Sequence, residues 1–123
     1  MVDRTFFVLG ALFAMLGVAA GAFGAHALAD RLTPERLATF EVAVRYQVIH
    51  ALGLFVIAWA TTRWPSGLLH VAGWLFVVGI LVFGSTVYAL ALGGPRILGA
   101  ITPLGGLSFI VGWVLAGWAV MRA

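Results

Sequence analysis

Cysteine and lysine are both missing from this chain, and charged residues of any kind make up only 9% of it. Without cysteine there is no disulfide, no thiolate nucleophile and no cysteine-held metal. Without lysine, all basic side-chain charge rests on seven arginines. These are scattered over loops and helix ends and form no stripe on one face, so nucleic acid is not an expected partner despite the net charge of +3. They read instead as interfacial anchors, whose long stems carry the charge out to headgroups. So little charge also excludes an ordinary soluble domain, in which about a quarter of residues are charged.

What is there is apolar: 63% of the residues are hydrophobic, gathered into four long runs. The sequence predicts a single transmembrane domain over residues 1–123, an all-α integral membrane four-helix bundle with both termini on the same side. The expected helices cover about 6–28, 34–62, 68–92 and 97–121. A cleaved signal peptide is the competing reading of the first run, because "AHA" has a small-x-small pattern. The run Phe6–Leu28 exceeds the roughly 7–15 apolar residues of a signal-peptide core, and Asp3 with Arg4 makes its start nearly neutral.

Local chemistry marks the junctions. In "LTPER", Thr33 suits an N-cap, Pro34 the first helical position and Glu35 the positive end of the helix dipole. Helix two is then longer than the hydrocarbon slab, so its first turns belong to the headgroup region. "TTRWPSG" and "GGPR" read as the next two turns, and "TPLGG" (Thr102 to Gly106) predicts a kink early in helix four. No internal repeat suggests transporter halves. Arg4, Arg63 and Arg122 on the terminal side balance Arg31, Arg36, Arg45 and Arg96 on the hairpin side, which leaves orientation open.

Polar residues inside such spans are functional candidates by default. Counted inward from the nearest hairpin-side boundary, His26, His50, Tyr88 and Thr102 each lie roughly 6–9 Å deep. Ser85 and Thr86 are about one turn deeper. On helix two, Gln47 and His50 share a face, while Glu41 and Arg45 (i, i+4) stand opposite and are placed to pair with each other. Hydrogen-bonding groups in an apolar medium need partners, so the candidate cluster is His26, Gln47, His50, Tyr88, Ser85 and Thr102. Small residues form two further stripes, Gly17, Gly21 and Gly24 on helix one and Ser108 and Gly112 on helix four, which allow close backbone approach. They fit packing within the chain or against a second copy.

"GAFGAHAL", "RLTPERLATFEVAVRYQVIHAL" and "TPLGG…GW" resemble the YgdD-like family of small inner-membrane proteins, a domain of unknown function. The similarity extends over nearly the whole chain. It implies a bacterial inner-membrane, multi-pass protein with four helices, and it brings no reaction, substrate or catalytic residue with it.

The reading taken is a non-catalytic structural or partner-binding membrane component, with the bilayer and either a second copy or another membrane protein as partners. In it, the cluster is an interhelical hydrogen-bond network. A small-solute or proton transporter is the alternative, weakened because the cluster reaches only part-way across the membrane. A bis-histidine b-type haem between His26 and His50 is a lesser alternative. No cofactor and no metal are expected: His26 and His50 lack a third ligand, since His70 lies near the opposite interface and Glu41 faces away. Ser-His-Asp, HExxH and phosphate-loop patterns are all missing, so no catalytic residue is assigned.

Overall fold

The four apolar runs become four helices in the computed structural model, which describes residues 1–123. α1 spans Val2–Leu28, α2 Pro34–Arg63, α3 Gly67–Ala91 and α4 Leu98–Met121, and there is no strand. At 24 to 30 residues each, the helices extend about 36–45 Å, against a hydrocarbon core of about 30 Å. Each is apolar and long enough to cross a bilayer, so the chain is an all-α membrane bundle with both termini at one end.

The junctions follow from short-range bonding. Thr33 Oγ1 accepts from the Arg36 N–H at 3.3 Å, with Pro34 in the first turn. Ser66 caps α3 in the same way, accepting from the Leu68 N–H at 3.2 Å. α3 closes on Gly93, the one residue with left-handed backbone (φ 97°), and the Gly94 N–H donates to the Ala89 carbonyl at 2.7 Å. That closure favours a residue without Cβ. At the terminal end the guanidinium groups of Arg63 and Arg122 lie over the Trp64 and Trp118 rings, 5.5 and 5.6 Å from their centroids, an arrangement suited to the bilayer interface.

At "TPLGG" α4 runs on through Pro103 as one continuous helix. Pro103 lies in the second turn, and the carbonyl that loses its helical partner belongs to the exposed Gly99. One feature departs from the sequence-based expectation, the wider π-type turns at Gly24–Leu28 and Ile80–Gly84. Composition gives no warning of these turns.

α2 and α3 form the middle of the bundle, with α1 packed on α2 and α4 on α3. The glycine stripe of α1 faces α2: Gly24 meets Phe40, Gly21 meets Val44, Gly17 meets Val48 and Gly10 meets Leu54. A methyl group on Gly17 would come within 2.7 Å of the Val48 side chain. On α4, Ser108 and Gly112 face α3, and a methyl on Gly112 would lie 2.7 Å from the Phe76 ring. Both small-residue stripes are thus spent inside the chain, where close approach substitutes for the hydrophobic drive that lipid removes. The terminal-side half between these contacts is filled by Phe6, Leu54, Ile57, Leu69 and Phe76, all essentially inaccessible.

Gly79 is occupied from the opposite helix by the Phe109 ring, whereas Gly117 has open space beside it. Gly79→Ala should cost about 1–3 kcal/mol through overpacking, read as a lower thermal midpoint in detergent, and Gly117→Ala should be neutral or slightly stabilising. Equal effects at the two positions would disprove the ring-over-glycine contact.

Candidate functional site

The packing register determines which polar residues meet. Along α1 and α2, pairs run antiparallel from Gly10 and Leu54 to Gly24 and Phe40. His50 therefore lies level with the middle of α1, near the mid-length of the bundle. His26 lies level with Ala38 and Thr39, about 17 Å away along the axis at 1.5 Å per residue.

Three short hydrogen-bonded sets occupy the region between. Nearest the hairpin end, Thr102 Oγ1 donates to Thr86 Oγ1 at 2.7 Å, and Thr86 donates to the Val82 carbonyl at 2.7 Å. Ser85 Oγ also donates to a carbonyl of this widened turn, that of Leu81. Ser85 and Thr86 thereby cover the backbone of the turn, which hydrocarbon could not solvate.

The second set is centred on Gln47. Its Nε2 donates to the Phe13 carbonyl of α1 at 2.8 Å, and its Oε1 accepts from the Tyr88 hydroxyl of α3 at 2.9 Å. Gly17 makes the first contact reachable. A Cβ there would lie 3.7 Å from Gln47 Nε2, and anything larger would crowd the carboxamide. The Tyr88 ring packs edge-on against Phe40, with centroids 5.1 Å apart.

The third set belongs to His50, which is 3% exposed. Its Nδ1 lies 2.8 Å from the Tyr46 carbonyl, and its Nε2 lies 3.0 Å from Trp113 Nε1. A carbonyl only accepts and an indole N–H only donates, so Nδ1 carries the proton and Nε2 is the acceptor. The ring stacks on Phe109 at 3.6 Å between centroids and meets Phe76 edge-on. Both nitrogens are engaged, and no buried side-chain nitrogen or oxygen anywhere in the chain lacks a partner.

Of the sequence-derived cluster, Gln47 and Tyr88 meet directly, Thr102 reaches α3 through Thr86, and His50 lies one turn from Gln47 without bonding to it. His26 does not join them. It is exposed near the hairpin end, because counting from Asp30 and Arg45 treated those residues as level, whereas α2 runs on past Arg45 alongside the end of α1. Ser85 is exposed and bonded within its own helix. Glu41 and Arg45 are both exposed and form no salt bridge, since the one ion pair of the chain joins the N-terminus to Asp3. No set of three His, Asp or Glu converges as a metal site. Thr86, Phe109 and Trp113 belong to the site but not to the sequence-derived cluster. The signal for Trp113 was available in principle: an indole N–H in mid-span needs an acceptor.

Two apolar grooves flank the polar sets on opposite sides. One, of about 440 Å³, lies between α1 and α3 over Gln47 and Tyr88. The other, of about 480 Å³, lies between α2 and α4 over His50.

Comparison with known proteins agrees with the membrane architecture. Residues 20–106 match the family described as "Protein of unknown function (DUF423)". A UPF0382 membrane protein of Staphylococcus epidermidis is 45% identical over 119 residues, covering 97% of each chain. The UPF0382 membrane protein YwdK of Bacillus subtilis is 42% identical over 120 residues, covering 97% of this chain and 98% of its own. No solved structure matches. With the family model matching most of its length and relatives matching nearly all of it, this multi-pass membrane chain belongs to the DUF423 family, whose function is unknown.

Proposed function

We propose that the chain is a non-catalytic structural or partner-binding component of the membrane, in which the buried polar groups fix helix register. The observation that carries this reading is the closure of the polar sets. The Thr102, Gln47 and His50 sets each end on a backbone carbonyl, those of Val82, Phe13 and Tyr46. None connects to the next. A proton path needs exchangeable groups in sequence, and below His50 the terminal-side core offers Leu54, Ile57, Leu69 and Phe6 instead. The lipid-facing flanks of α1 and α4 are available to a second copy or to another membrane protein. The likeness to YgdD-like inner-membrane proteins fits this role, since its motifs supply the packing glycines and Gln47 and His50 together.

A resident b-type haem is not part of the proposal. His26 and His50 face no common space, and an iron ligand at His50 Nε2 would have to displace the Trp113 indole. Protein purified from membranes should accordingly show no Soret absorbance, and a stoichiometric Soret band would refute this part of the reading.

Interhelical hydrogen bonds in membranes average about 0.6 kcal/mol and reach about 1.7. Tyr88→Phe and Trp113→Phe should each lower stability within that range, by thermal or denaturant unfolding in detergent. Gln47→Leu, which cuts both of its interhelical bonds, should cost more than Tyr88→Phe. In liposomes, neither the parent chain nor these variants should carry solute or proton flux. Flux that is present in the parent and lost in His50→Ala, with fold and oligomer size unchanged, would replace the structural reading with transport.

A further inference from the structure

The groove between α2 and α4 differs from its counterpart in having a cation at its rim. Arg45 stands at the hairpin-side end, Trp113 at the deep end, and Ile49, Phe83, Gly106 and Ile110 lie between. Arg45 is exposed and has no carboxylate partner. Gly106 has no heavy atom within 4 Å of where a Cβ would stand, so the groove passes over a position left without a side chain. From Gly106 to Trp113 it extends about 10 Å along α4 at 1.5 Å per residue. An unpaired guanidinium above an apolar trough calls for a molecule with an anion at one end and hydrocarbon at the other.

The geometry points to a specific site for an anionic phospholipid of the bilayer, with its phosphate on Arg45 and one acyl chain in the groove against Ile49, Ile110 and Trp113. The Arg45 stem is long enough to carry its charge outward to the phosphate level while its methylenes remain on the apolar wall. The polar face of His50 is already closed by Tyr46 and Trp113, so the groove presents the acyl chain with aromatic and aliphatic surface. The lipid requires none of the hydrogen-bonding groups of the closed polar sets, although it rests on the Trp113 ring of one of them, and held there it would bridge α2 and α4 on the bundle's outer face.

Tryptophan quenching tests this directly, because Trp113 lines the groove. A variant retaining Trp113 alone (W59F, W64F, W74F, W118F) is placed in vesicles containing acyl-brominated phosphatidylglycerol or acyl-brominated phosphatidylcholine at equal mole fraction. Phosphatidylglycerol should quench with an apparent association about fivefold stronger, the magnitude of one arginine near an anionic surface. Arg45→Gln should abolish the preference and Arg96→Gln should leave it. Gly106→Leu, which puts a side chain into the groove at a position where a Cβ meets no neighbour, should reduce quenching by both lipids. A preference that survives Arg45→Gln, one lost equally in Arg96→Gln, or quenching unchanged in Gly106→Leu would overturn the site. If the four-tryptophan substitution does not fold, native mass spectrometry of the parent chain and Arg45→Gln in a mixture of the two lipids decides the same question. Selective retention of phosphatidylglycerol by the parent alone supports the site, and equal retention by both chains refutes it.

Discussion

The carboxamide of Gln47 is the contact on which the arrangement of the first three helices depends. It sits on α2, takes the Phe13 carbonyl of α1 with its nitrogen and the Tyr88 hydroxyl of α3 with its oxygen. In lipid, apolar side chains gain nothing by choosing one apolar neighbour over another, so orientation must come from close packing and from polar groups that cannot be left alone. Gln47 supplies the second and Gly17 the first, and they meet at the same place. Sliding α1 by one turn, about 5.4 Å, would carry the Phe13 carbonyl out of reach of the Gln47 amide.

His50 does for α4 what Gln47 does for α1 and α3. Its ring is wedged between Phe76 and Phe109, with the Trp113 indole closing its remaining nitrogen. Gly53 and Gly79 provide the space, the first beneath Phe76 and the second beneath Phe109. A histidine in mid-membrane usually suggests a ligand or a proton. Here each nitrogen has a partner of the one polarity that suits it, which makes the ring a fixed structural part with a defined tautomer.

The four spans, the Thr33 cap and the small-residue stripes were legible in the sequence, because length, hydropathy and capping chemistry act over a few residues. Gln47 with Tyr88 was legible too, since a carboxamide and a phenol at comparable depth have few other choices. His26 was not. Its height depends on how far α2 overshoots Arg45, a property of the packing between helices that no single run of residues encodes. The π-type turn at Ile80–Gly84 was equally hidden, yet it explains why Ser85 and Thr86 follow it: their hydroxyls cover its carbonyls. Trp113 is not distinguished by sequence alone, because tryptophan in such chains also serves as an interfacial anchor, the position that Trp64 and Trp118 take beside Arg63 and Arg122.

The pairing of α1 with α2, and of α4 with α3, has a consequence for how the protein is made. Synthesis proceeds from the N-terminus, and folding units tend to form in that order. When the first hairpin is complete, the Gln47 nitrogen already has its Phe13 carbonyl and the α1 glycines already lie on Val44 and Val48. The amide oxygen waits for Tyr88, and His50 Nε2 waits for Trp113. The nascent chain thus enters the bilayer as a nearly finished pair carrying two open acceptors, and the second hairpin is recruited to it by the phenol and the indole that close them.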